Sequence, residues 1–110
     1  MALDAKTLAQ EMRRSVPGFV PNTEYIKYGL VYLLINSFCQ FLCGRAEAAS
    51  WIEVKQALAF FDALLAREDP EAEKLVADCV EGLAECPAFD QVKPLFSERL
   101  KNLSARTAAV

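Results

Sequence analysis

The residues of this 110-residue sequence that could do chemistry are four cysteines and a dense run of carboxylates. Histidine is absent, which removes the commonest general base, the Ser–His and Cys–His nucleophile pairs and the commonest metal ligand. No other convergent catalytic set takes its place, so the sequence points away from an enzyme. Cys39 and Cys43 stand four residues apart, and Cys79 and Cys86 seven apart, with Pro87 close behind. The plain reading is four small apolar core residues in a reducing compartment. The chemical alternative is a metal or thiol-redox site built between two helices. Structural zinc sites usually take closer ligand spacings on turns, so no metal and no cofactor is expected. A disulfide between Cys39 and Cys43 is disfavoured, because one helical turn holds the Cα atoms near the long end of the allowed range.

The carboxylates are unevenly placed. From Glu68 to Asp90 there are eight acids against one base, Lys74, a net −7; the rest of the chain then carries +4 of the total −3. Glu68, Asp69, Glu71 and Glu73 suit the positive end of a helix dipole. Asp78, Glu81 and Glu85 fall toward the other end of the same helix, where acids are unfavourable. That placement predicts a surface kept acidic for a basic partner, with Glu71 and Glu73 at its rim. The same three acids have the spacing to chelate a hard cation, but there is no calcium-loop or Glu-x-x-His pattern to support it.

The elements that must position these groups are helices. Tyr28 to Gly44 (YGLVYLLINSFCQFLCG) carries no charge and lies between Lys27 and Arg45. On a wheel of about 100° per residue, Gly29, Asn36, Gln40, Gly44 and Glu47 share one narrow polar strip. Leu30, Val31, Leu34, Ile35, Phe38, Phe41 and Leu42 fill most of the remainder. A helix apolar around most of its surface is wrapped by other helices, so the sequence predicts a compact all-α bundle of about five helices around a central one at about 23–43. Tyr25, Tyr28 and Tyr32 lie along its first half. They read either as amphipathic packing at a rim or as an aromatic patch for a partner, Tyr25 and Tyr28 being the candidates.

A first helix is expected over 4–15 with Asp4 as cap, then a proline-rich linker anchored by Phe19 and Val20. Asn22 or Thr23 caps the central helix, and Gly44 ends it. Ser50-Trp51-Ile52-Glu53 matches a capping box opening a helix to about Arg67. Asp69-Pro70 opens a fourth helix to about Ala84. Gly82 within it costs roughly 1 kcal/mol relative to alanine, a sign of a close helix crossing. A short helix near Pro87 and a last one to about Leu103 follow, with 1–3 and 104–110 expected to be loose.

One domain accounts for the whole length, 1–110. The uncharged stretch is shorter than the ~20 residues a membrane span needs, so no membrane association is expected. Basic residues are scattered, without an aromatic-interleaved stripe, so neither is nucleic-acid binding. MALDAKTLAQEMRR lacks a signal-peptide pattern, and the expected location is the cytoplasm.

The aromatic helix Tyr25–Cys43, the helix opened by Trp51 and the segment VADCVEGLAECPAFDQVKPLFSERL from Val76 to Leu100 together resemble small all-helical bacterial immunity-type proteins of polymorphic toxin and contact-dependent inhibition systems. That resemblance implies a non-enzymatic inhibitor that binds a cognate toxin domain, often a basic nuclease, and occludes its active site. It transfers no residue roles. The alternatives are a homo-oligomeric structural or adaptor domain, for which the polar strip and the aromatics would form a self-interface, and a cysteine-based metal or redox protein.

Overall fold

The computed structural model describes residues 4–108. Among them are seven α-helices, one 3-10 turn and no strand. The helices are α1 (Ala5–Ser15), α2 (Thr23–Lys27), α3 (Val31–Glu47), α4 (Trp51–Leu65), α5 (Pro70–Leu83), α6 (Phe89–Val92) and α7 (Glu98–Ala108), with the 3-10 turn Lys93–Leu95 after α6. Five are long; α2 and α6 hold only five and four residues.

Side-chain oxygens start the helices where local chemistry favours it. Asp4 accepts from the Thr7 N–H at 2.8 Å, Asn22 from Glu24 at 2.8 Å and Asp69 from Glu71 at 2.9 Å. Each satisfies a backbone donor that has no partner within its helix. Pro70 occupies the first turn of α5, where a missing N–H costs nothing. Ser97 does two jobs: it accepts from the Leu100 N–H at 3.2 Å, and its hydroxyl donates to Asp62 Oδ1 at 2.6 Å. One residue thus caps α7 and ties it to α4.

The central helix departs from the sequence expectation at both ends. It does not run unbroken from 23. Tyr28 leaves helical geometry, Gly29 takes φ +67°, and the Leu30 N–H returns to the Tyr25 carbonyl at 2.8 Å. Only glycine takes that conformation without steric cost, so Gly29 is a hinge between α2 and α3 and not part of the polar strip. At the other end Gly44 is inside the helix, which continues to Glu47. Termination falls to Ala49 at φ 59°, with Ala49 N–H bonded to Ala46 O and Ser50 N–H to Arg45 O. This is a Schellman ending with alanine where glycine is usual.

Smaller departures follow from packing. Ser50 does not cap the backbone of α4; its hydroxyl donates to Glu53 Oε1 at 2.8 Å. Phe19 anchors the linker in the core, but Val20 is 85% exposed. Residues 104–108 are helical, not loose: they continue α7, which Leu100 and Leu103 bury and Arg106 ties to Glu73; 1–3, 109 and 110 lie outside the described residues. A Cβ at Gly82 would meet only Cys39 Sγ, at 3.8 Å, an ordinary contact, so the crossing does not demand glycine.

The core is continuous and centred on Phe38. Its ring meets Phe19 at 5.0 Å, Phe60 at 5.1 Å and Phe61 at 5.6 Å between centroids, all edge-on, the arrangement that aromatic quadrupoles favour. Leu8, Met12, Leu34, Leu42, Leu64, Leu75 and Leu100 complete it. Among the described residues, no polar or charged side chain is fully buried.

One feature of topology positions the site. Lys74 lies over Tyr32, Cys39 meets Cys79, and Cys43 meets Cys86. Successive partners advance together, so α3 and α5 run parallel, while α4 returns the chain and packs on both. No helix among the described residues is long and apolar enough to cross a membrane.

Candidate protein-binding face

The inner side of α5 is apolar, with Ala72, Leu75, Val76, Cys79, Val80 and Leu83 buried. Its outer side carries Glu71, Lys74, Asp78 and Glu81, and Glu85 follows in the turn just past its end, all exposed. Among the described residues Glu71, Asp78, Glu81 and Glu85 take part in no ion pair. Glu73 is different. It turns toward α7, where its Oε1 accepts from Arg106 Nη2 at 2.9 Å, so its charge is met within the molecule.

Alongside runs the outer strip of α3. Asn36, Gln40, Gly44 and Glu47 are exposed, as the wheel predicts. One turn toward the N-terminus the strip becomes apolar. Tyr32 is 54% and Leu33 44% exposed, and the α2–α3 hinge adds Tyr28 at 65% and Leu30 at 39%. Scattered exposed apolar residues need no explanation, but a contiguous group rimmed by polar residues marks an interaction site.

Two hollows join the strips. One, of about 330 Å³, is lined by the hinge residues Gly29 and Leu30, by Tyr32 and Leu33, and by Glu71 of α5. The other, of about 290 Å³, lies between Tyr32, Leu33, Asn36 and Asp78. The apolar group and the acids are therefore one surface. Lys74 sits within it, its Nζ 5.8 Å from the Tyr32 ring centroid, a distance at which cation–π attraction still acts.

The sequence-nominated residues divide accordingly. Glu71 and Asp78 line the hollows, Glu81 and Glu85 extend the acidic strip, and Tyr28 stands at the hinge. Tyr25 joins a separate, larger trough of about 1010 Å³ with Phe19, Gln40, Phe41 and Arg45. That trough is open, and its one cation is engaged: Arg45 stacks 4.9 Å over Phe41 and pairs with Glu53 at 3.7 Å. Leu30 was not legible as a site residue, because the wheel assigns it to the core side of a continuous helix; Leu33 falls on the outer strip between Gly29 and Asn36, but the sequence marks that strip only by its polar members. The hinge at Gly29 sets Leu30 outside both helices, as the residue before α3.

Beneath the face the cysteines form two rungs between α3 and α5. Cys39 and Cys79 are buried free thiols, with Cys39 Sγ donating to the Cys79 carbonyl at 3.2 Å. Burial pushes the Cys79 thiol well above its usual range. Cys43 and Cys86 are joined as a disulfide, their Cα atoms 6.0 Å apart. This corrects the reading of all four as reduced core residues. Parallel helices bring spacings of four and seven into register, which the sequence without its topology does not reveal. Compared with protein-family models, with curated proteins and with solved structures, the chain matches none.

Proposed function

We propose that this chain is a non-enzymatic protein-binding module, an immunity-type inhibitor that captures a basic protein, such as a nuclease toxin domain, on the α3/α5 face. The observation that carries this reading is the set of four carboxylates without ion-pair partners among the described residues, Glu71, Asp78, Glu81 and Glu85, beside the exposed group Tyr28, Leu30, Tyr32 and Leu33. An apolar anchor flanked by uncompensated charge is how a surface gains both affinity and choice of partner. Acidic strips also speed capture of cationic partners, in a manner that falls with salt.

In this reading Tyr32 is the anchor. Tyr32→Ala weakens the complex by about 2 kcal/mol or more, the scale of an interface hot spot, read as a ~30-fold rise in Kd. Glu73, already paired with Arg106, contributes little, and Glu73→Gln leaves affinity within about twofold, as expected of a rim charge. Equal losses for both substitutions would sink the site assignment. The proposed setting is the cytoplasm, where the Cys43–Cys86 bridge would be held mainly reduced.

The exposed apolar group also favours a second reading, a homo-oligomer joined through the same face. Sedimentation across a wide concentration range separates the two. A chain that stays monomeric supports the inhibitor reading, and a Tyr32-dependent dimer supports the other.

A further inference from the structure

The two rungs of cysteine are not equivalent, and the difference is in what surrounds them. Cys39 and Cys79 sit inside the bundle. Cys43 is half-exposed, and Cys86 is buried just below it. One turn beyond Cys43 stands Glu47, exposed. The two sulfurs and a Glu47 carboxylate oxygen all lie within 4.8 Å of one another. Arg45, two residues from Cys43, is engaged by Phe41 and Glu53. A Cβ at Gly44 would touch nothing within 4 Å, so the approach beside Cys43 is open.

The electrostatics here are unusual. Because α3 and α5 are parallel, both C-terminal ends, each carrying partial negative charge, lie at this corner. Glu47 and Glu85, the latter next to Cys86 in sequence, add full charges. A pair of bare thiolates would be strongly disfavoured in that field. The sulfurs must be joined, protonated or neutralised by a cation. Oxidation achieves the first, and the structure holds that state.

We infer that in the reduced protein Cys43, Cys86 and Glu47 form a binding site for a thiophilic divalent ion, zinc by its chemistry, interchangeable with the disulfide. A dithiol reduces the bridge to two thiols and is itself oxidised to a disulfide; a phosphine does the same with one water, whose oxygen ends on the phosphine oxide and whose hydrogens end on the two sulfurs. Zinc then displaces the two thiol protons to solvent and binds both sulfurs, with the Glu47 carboxylate as third donor and water at the fourth position. Two thiolates and one carboxylate suit zinc, which accepts sulfur and oxygen ligands in a tetrahedron with bonds of about 2.3 and 2.0–2.2 Å. Copper(I) prefers an all-soft set. The two helix C-termini favour the cation. This site is independent of the partner-binding reading.

The test uses the full chain, reduced with a phosphine and freed of it, then titrated with Co²⁺ as a spectroscopic probe. The expected result is a thiolate-to-cobalt charge-transfer band saturating at one ion per chain and abolished by added zinc. Zinc should slow alkylation of Cys43 and Cys86, identified by peptide mass, without changing that of Cys39 and Cys79. The oxidised protein is the internal control and should give no band. Glu47→Gln, at an exposed position, should weaken cobalt by at least ~10-fold, since even outer partners of a metal matter on that scale. Cys39→Ala/Cys79→Ala should keep the band. No band in the reduced chain, loss of the band in the Cys39/Cys79 variant, or unchanged affinity in Glu47→Gln would each overturn the assignment.

Discussion

At the scale of single residues, most of the stability rests on positions whose roles follow from their surroundings. Phe38 is fully buried against four other rings, those of Phe19, Phe41, Phe60 and Phe61. Truncation to alanine should cost about 3–5 kcal/mol, the range for large aromatic deletions, measured as a fall in the urea midpoint at unchanged slope. Asp4 gives a pH signature. The Thr7 N–H and hydroxyl hold its carboxyl below the ordinary 3.8. A carboxyl depressed by folding stabilises above its unfolded value, and that contribution disappears as pH falls through the folded one. The stability gap between wild type and Asp4→Ala should therefore be constant near neutrality and shrink only below about pH 4, near the unfolded carboxylate value. A gap that widened on acidification would contradict the assigned hydrogen bonds.

At the scale of elements, the long helices were legible in the sequence because caps and apolar periods agree. Asp4, Asn22 and Asp69-Pro70 each start a helix where the local pattern places one. The hinge and the α3 ending were not legible, for a physical reason. Gly29 lies within an apolar run whose period continues on both sides, and periodicity does not register one residue at positive φ. Gly44 offered the glycine signal for an ending that Ala49 supplies instead. These facts make opposite predictions for similar substitutions. Ala49→Gly relieves a left-handed alanine and should stabilise by about 1 kcal/mol. Gly29→Ala, at φ +67°, should destabilise by a similar amount. Gly82→Ala, with room for its methyl, should stabilise by up to ~1 kcal/mol through helix propensity. Paired thermal melts of the three variants check the signs, and the same sign for Ala49→Gly and Gly29→Ala would contradict the two loop geometries.

At the scale of the whole molecule, parallel packing of α3 and α5 produces the properties that bear on function. It lays an acidic strip beside an apolar one, and it brings four cysteines into two rungs. The acidity of the first strip could be read from the sequence; its apolar neighbour was less legible, since Tyr32 and Leu33 continue the outer strip of α3 as apolar residues that composition alone assigns to a core. The Cys43–Cys86 bridge spans 43 residues of chain. Restricting the unfolded state over that length is worth about 2–4 kcal/mol, so reduction without metal should lower the denaturation midpoint accordingly. The central claim is that the α3/α5 face takes a basic protein. It is tested most directly by using wild type and the Asp78→Lys/Glu81→Lys/Glu85→Lys variant, shown to be folded, as parallel baits in the native lysate at low and high salt. The account predicts one basic protein on the wild type at low salt, released at high salt and missing from the variant. Recovery of the same proteins on both baits, or nothing but the chain itself, would contradict it.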